Sequence, residues 1–69
     1  MIGILGGGQL GRMLALAGYP LGLSFRFLDP SPEACAGQVG ELVVGEFLDE
    51  GALLRFAEGL PLVTYEFAN

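Results

Sequence analysis

Three glycines spaced as G-x-G-x-x-G, Gly6, Gly8 and Gly11, and two carboxylates, Asp29 and Glu66, are the residues of this chain whose types and spacing could do chemistry. The glycine spacing suits a phosphate. Gly6 permits the backbone angles of a tight turn, Gly8 puts no side chain between backbone and ligand, and Gly11 lets a following helix lie close to the preceding strand. The first-turn amides of such a helix lack intrahelical acceptors and sit at its positive end, where they favour an anion such as a ribose phosphate. The carboxylates suit the ribose itself, because an ionised carboxylate accepts two hydroxyl donors. Asp29 follows the glycines at about the spacing at which a dinucleotide site places its ribose-binding acid. Each feature has a plainer reading beside it: glycines that only make a turn, an Asp29 that ends a strand before Pro30, and a Glu66 that is a solvated loop acid.

These residues can act only if strands and helices bring them together, and the punctuation of the chain predicts which. Ile2–Leu5 is short and β-prone. Leu10, Met13, Leu14 and Ala17 recur at i, i+3, i+4 and i+7, which predicts a helix from Gln9 to Ala17 with that face buried, closed by Gly18 and Pro20. A second strand is predicted over 24–28. Beyond the turn at Asp29-Pro30-Ser31-Pro32, Ser31 as N-cap and Gly37 after Ala36 suggest one short helical turn. A third strand is predicted over 42–44. Asp49 then caps a second helix, with Leu53, Phe56 and Ala57 facing inward and Gly59 and Pro61 ending it, before a fourth strand over 62–65.

Strands alternating with helices imply an α/β fold, a Rossmann-like parallel sheet with right-handed crossovers and strand order 3-2-1-4. In that order the chain reverses direction across the sheet, and a crevice opens between the ends of strands one and four, where ligands of open α/β sheets bind. The glycine loop forms one lip and Tyr65-Glu66-Phe67 the other, which makes Glu66 the carboxylate of most interest.

Composition narrows the function classes. Eight acidic residues against three arginines, with no lysine and no histidine, give a net charge of −5. Arg12, Arg26 and Arg55 are scattered and form no basic stripe, so nucleic acid is not an expected partner. Histidine catalysis and most zinc sites are excluded within these residues. Cys35 is alone, which fits a reducing cytoplasm; its plain reading is a small semi-buried side chain, its sharper one a reactive thiol. No apolar run approaches the ~20 residues of a membrane span, and no basic segment precedes Ile2, so neither anchor nor signal peptide is expected. The chain has 69 residues, of which 52% are hydrophobic, so apolar surface should stay uncovered unless something packs on it. A part of a larger protein is expected, and the apolar surface and open fourth-strand edge favour self-association into a homo-oligomer.

Three stretches taken together are recognisable. Gly6 to Leu14 (Gly-Gly-Gly-Gln-Leu-Gly-Arg-Met-Leu), Leu28-Asp29-Pro30, and Val63 to Asn69 (Val-Thr-Tyr-Glu-Phe-Ala-Asn) closely resemble the start of the 5-(carboxyamino)imidazole ribonucleotide synthase family. This is the ATPase subunit of phosphoribosylaminoimidazole carboxylase, in the ATP-grasp superfamily. The resemblance covers the whole chain, with one departure: the family's closing motif reads Glu-Phe-Glu-Asn, and Ala68 stands where the second glutamate would be.

The resemblance implies that residues 1–69 are an N-terminal pre-ATP-grasp domain, incomplete and without the ATP-grasp domains. It implies a parent ligase that uses ATP and bicarbonate to carboxylate 5-aminoimidazole ribonucleotide in purine biosynthesis, by way of carboxyphosphate. ATP and Mg2+ would be bound outside this segment. By similarity, Gly8, Gln9 and Leu10 would approach the ribonucleotide, and Glu66 would reach its ribose hydroxyls. Arg12 either neutralises a phosphate or solvates its helix. Met13 and the phenylalanines read as core packing. Two other readings stay open: the first half of an NAD(P)-binding oxidoreductase domain, resting on the glycines and Asp29, and a structural piece with no function of its own.

Overall fold

The computed structural model describes residues 1–65. Strands β1 (Ile2–Leu5), β2 (Phe25–Asp29), β3 (Glu41–Val44) and β4 (Leu62–Tyr65) form one sheet in the order β3-β2-β1-β4, with every pair parallel. This is the order that the alternation of elements predicts. Helix α1 (Gln9–Gly18) links β1 to β2, and helix α2 (Glu50–Ala57) links β3 to β4. Parallel strands need such crossovers, and their right-handedness puts outward and returning connections on opposite faces. Accordingly α1 and a 3-10 turn at Cys35–Gln38 pack on one face with Ile4, Phe25 and Phe27, while α2 packs on the other with Leu28. Phe27 and Leu28 point to opposite faces and both are fully buried, so β2 is covered on two sides and reads as a near-continuous apolar run. Burying Phe27 alone contributes about 1.5–3 kcal/mol.

The sheet-facing side of α1 is not the one that periodicity predicts. Gly11, Ala15 and Gly18 are buried, whereas Leu10, Met13 and Leu14 are 47%, 54% and 48% exposed and Ala17 is exposed as well. The cause is the close approach of helix to sheet. A Cβ on Gly11 would stand 2.9 Å from the Gly6 carbonyl oxygen, and one on Gly18 would stand 2.5 Å from the Phe25 ring. Only small residues fit that contact, so a stripe of glycine and alanine takes the place that a hydrophobicity count gives to leucine. The displaced stripe borders open clefts instead. Leu14 and Ala17 line an apolar groove of about 330 Å³ with Ile2, Ile4, Phe25 and Leu62.

Helix α2 needs a smaller correction: Ala52 and Phe56 are buried, Leu53 packs beside them, and Ala57 is exposed. Its Asp49 cap is as predicted, with the side chain accepting from the amides of Gly51 and Ala52. Gly18 remains helical, and the left-handed residue that turns the chain is Gly22, with φ 78°, after a 3-10 turn at Tyr19–Leu21. The short helical turn predicted after Ser31 begins later, at Cys35. Ser31 makes a local turn, its Oγ accepting from the Glu33 amide.

One device was not legible in the sequence. Arg26 of β2 donates from its guanidinium to the Phe56 and Glu58 carbonyl oxygens at 2.9 and 2.7 Å, and to Glu41 of β3 at 2.7 Å. A cation thus satisfies orphan carbonyls at the negative end of α2. No helix among the described residues is long and apolar enough to cross a membrane.

Candidate functional site

The site is built from the carboxyl ends of β1 and β4. Leu5 and Tyr65 are register partners there, so the chain leaving β1 and the end of β4 face each other at the point where the strand order reverses. After Leu5 the chain turns at Gly6, whose φ of 109° is a conformation that an L side chain rarely adopts. The turn is held by a hydrogen bond of 2.7 Å from the Gly6 amide to the Leu28 carbonyl oxygen. Gly8 is the N-cap of α1, in extended conformation, and its carbonyl oxygen accepts the first helical bond from the Arg12 amide at 3.0 Å.

Gly8 has no side chain with which to cap α1, and no acid lies in the first turn of the helix. The amides of Gln9, Leu10 and Gly11 therefore have no intrahelical acceptor, and the positive end of the helix lies beside the loop. Between this end and β4 opens a cleft of about 470 Å³ lined by Leu10, Met13, Leu14 and Tyr65. Its walls are mainly apolar, as those of small-molecule sites are, and Leu10 of the first turn of α1 is one of them.

The structure brings several of the predicted residues together. Gly8, Gln9 and Leu10 sit consecutively at the start of α1, and of the three Leu10 lines the cleft. Arg12 is half-buried on the first turn. Glu66 lies outside the described residues, directly after Tyr65.

Asp29 has a different task from the ribose contact that its spacing suggests. Its Oδ2 accepts from the Gly7 amide and its Oδ1 from the Ser31 amide, both at 2.9 Å. The second bond has a sequence signal, since Asp-Pro-Ser is an Asp-initiated turn in which the carboxylate takes the amide two residues on. The first bond joins the ends of the neighbouring strands β1 and β2 and has none. Cys35 also comes to the loop, its Sγ 3.9 Å from the Gly7 carbonyl oxygen and 3.6 Å from Gln9 Oε1. Among the described residues no group of three or more His, Cys, Asp or Glu side chains could hold a metal ion.

The comparisons with known proteins agree with this fold. The family model of the ribonucleotide synthetase preATP-grasp domain matches residues 1–69. The N5-carboxyaminoimidazole ribonucleotide synthase of Pseudomonas aeruginosa is 56% identical over 68 residues, covering 99% of this chain and 19% of the relative. The crystal structure of N5-carboxyaminoimidazole ribonucleotide synthetase from Thermus thermophilus is 97% identical with a TM-score of 0.96, covering 100% of this chain and 19% of that one. The Staphylococcus aureus synthetase, crystallised as an ADP complex, is 39% identical with a TM-score of 0.89, over 96% of this chain and 18% of that one. The chain thus spans about a fifth of the length of these relatives. By the match along its whole length, the chain belongs to the ribonucleotide synthetase pre-ATP-grasp domain family.

Proposed function

We propose that these residues form the N-terminal, ribonucleotide-holding part of an ATP-dependent carbon–nitrogen ligase of purine biosynthesis. Its substrates are 5-aminoimidazole ribonucleotide and bicarbonate. The observation that carries this reading is the full-length match to the synthetases, at 97% identity and a TM-score of 0.96 for the Thermus thermophilus protein. The geometry supports it independently: the first-turn amides of α1 suit the oxygens of a ribonucleotide, and the apolar cleft of Leu10, Met13, Leu14 and Tyr65 suits a flat base. Gly8, Gln9 and Leu10 present the loop to the ribonucleotide, Arg12 offers a cation one turn into α1, and Glu66 accepts from the ribose hydroxyls.

ATP and Mg2+ belong, in this reading, outside residues 1–69. The chain has no lysine to reach phosphates, and its described acids do not gather into a metal-binding group. In this proposal both are held by the remaining four-fifths of the enzyme, where bicarbonate is also activated. The division of labour is that this domain holds the amine-bearing substrate still and the rest delivers the activated carboxyl group. The oxidoreductase reading is not favoured, because the relatives matched along this chain are carboxyaminoimidazole ribonucleotide synthetases.

The test is Gly8→Val in the full-length enzyme. A branched side chain at the helix N-cap pushes the ribonucleotide off the loop, so its apparent constant should rise by about tenfold or more while that for ATP changes little. A rise confined to the ATP constant would show that the loop serves ATP, and would overturn the assignment.

A further inference from the structure

Three consecutive glycines make a loop with more backbone freedom to lose than any other tripeptide, so a site built on them must be pinned from outside. Hydrogen bonds from the neighbouring segments do the pinning. The Gly6 amide bonds Leu28, the Ala36 amide bonds the Gly7 carbonyl oxygen at 2.9 Å, and the Arg12 amide bonds Gly8. These three run between backbone groups. A further bond runs from the Gly7 amide to Asp29 Oδ2 at 2.9 Å, and it is part-buried.

Asp29 therefore holds Gly7 twice. Directly, one carboxylate oxygen takes the Gly7 amide. Indirectly, the other takes the Ser31 amide and sets the turn that leads to Cys35–Gln38, from which the Ala36 amide reaches the Gly7 carbonyl oxygen. The packing agrees, since a Cβ on Gly7 would lie 3.2 Å from the Asp29 Cβ and 3.1 Å from the Ala34 Cβ. The ionised carboxylate makes the bond to the Gly7 amide a charge-assisted one, which strengthens the hold.

We propose that Asp29 is the positioning residue of the ribonucleotide site: its carboxylate latches the Gly6–Gly8 loop in the bound shape before substrate arrives. The inference rests on the proposed ribonucleotide role of the loop. A preformed loop loses little entropy on binding, whereas an unlatched one must be ordered at the expense of affinity. Asp29 touches no reacting atom, so its loss should appear in the ribonucleotide constant and leave kcat at saturation nearly unchanged.

The experiment compares Asp29→Asn and Asp29→Ala with the parent in the full-length enzyme. It reads the apparent constants for 5-aminoimidazole ribonucleotide and ATP, together with hydrogen–deuterium exchange of the 6–10 segment. Asparagine keeps the shape and one acceptor oxygen but sets an NH2 group against one of the two amides. Its ribonucleotide constant should rise about tenfold, with the ATP constant and kcat within about twofold. Exchange of the loop should quicken while that of β2 stays as it was. Alanine should do the same more strongly; if it fails to fold, the asparagine variant still decides. Unchanged loop exchange in Asp29→Asn overturns the latch. Equal rises in the ribonucleotide and ATP constants overturn the positioning role. A parent enzyme that turns over ATP without any response to the ribonucleotide, yet whose loop exchange quickens in the variants, overturns the proposed function and leaves Asp29 as a loop latch alone.

Discussion

Replacing Gly11 by alanine tests the close approach of α1 to the sheet, on which the position of the loop depends. In a free helix this change would stabilise by about 0.8–1 kcal/mol, because glycine is the poorer helix former. Here the new methyl carbon would stand 2.9 Å from the Gly6 carbonyl oxygen and 3.1 Å from the Phe27 ring. Neither neighbour can yield cheaply. Gly6 sits at φ 109° with its amide bonded to Leu28, and Phe27 is 0% exposed. Overpacking of this kind costs about 1–3 kcal/mol, and contact with fixed backbone belongs at the upper end, so the net effect is a loss of about 1–2 kcal/mol. Native-state hydrogen exchange is the assay, since it reads the opening of these strands even in a longer protein that does not unfold in two states. Amides of β1 and β2 that open with the domain should exchange about 5- to 30-fold faster. Gly51→Ala in α2 is the control, because its Cβ would meet only Asp49 Oδ1 at 3.3 Å and the Arg55 guanidinium at 3.5 Å. If Gly11→Ala exchanged no faster than the parent, the helix would not be seated on the sheet as described.

Further outcomes follow from the same geometry. Arg26→Met removes the donors at the end of α2 and should destabilise by about 1–3 kcal/mol, seen as faster exchange at Phe56 and Ala57 ahead of the rest of the sheet. Glu66→Ala should weaken ribonucleotide binding about 10- to 150-fold and Glu66→Gln less, measured by titration of the full-length enzyme; unchanged affinity with folding intact would make Glu66 a solvated acid. The 69 residues by themselves should neither hydrolyse ATP nor carboxylate the ribonucleotide, and ribonucleotide-stimulated phosphate release above a protein-free control would refute that.

The architecture was legible because its signals are local. Gly6 and Gly59 at positive φ, the Asp49 cap and the β-prone runs each act within a few residues, and together they set the element order from which strand order 3-2-1-4 follows. The face of α1 was not legible, because hydrophobicity counts reward leucine and cannot see that Phe25 and Phe27 leave room only for Gly11, Ala15 and Gly18. The roles of Asp29 and Arg26 were hidden for another reason. Their partners Gly7, Phe56 and Glu58 offer backbone atoms, which every residue possesses, so no side-chain pattern announces the pairing. The start of α1 at Gln9, with Gly8 as its N-cap, was legible because a glycine loop after a strand fixes where the next helix starts.

The placing of β4 beside β1 also sets when the cleft comes into being. Leu5 and Tyr65 pair across roughly sixty residues of chain, while β1 and β2 meet across fewer than half as many, and the longer closure costs about 0.8 kcal/mol more in chain entropy. During synthesis the loop, α1 and β2 can assemble first, and the second wall of the cleft arrives only with the end of β4. All four residues of β4 are exposed, and its strand neighbour among the described residues is β1 alone. A ligand gripped by both lips would add to the bonds that keep this strand in place, so occupancy of the cleft and retention of β4 are thermodynamically linked.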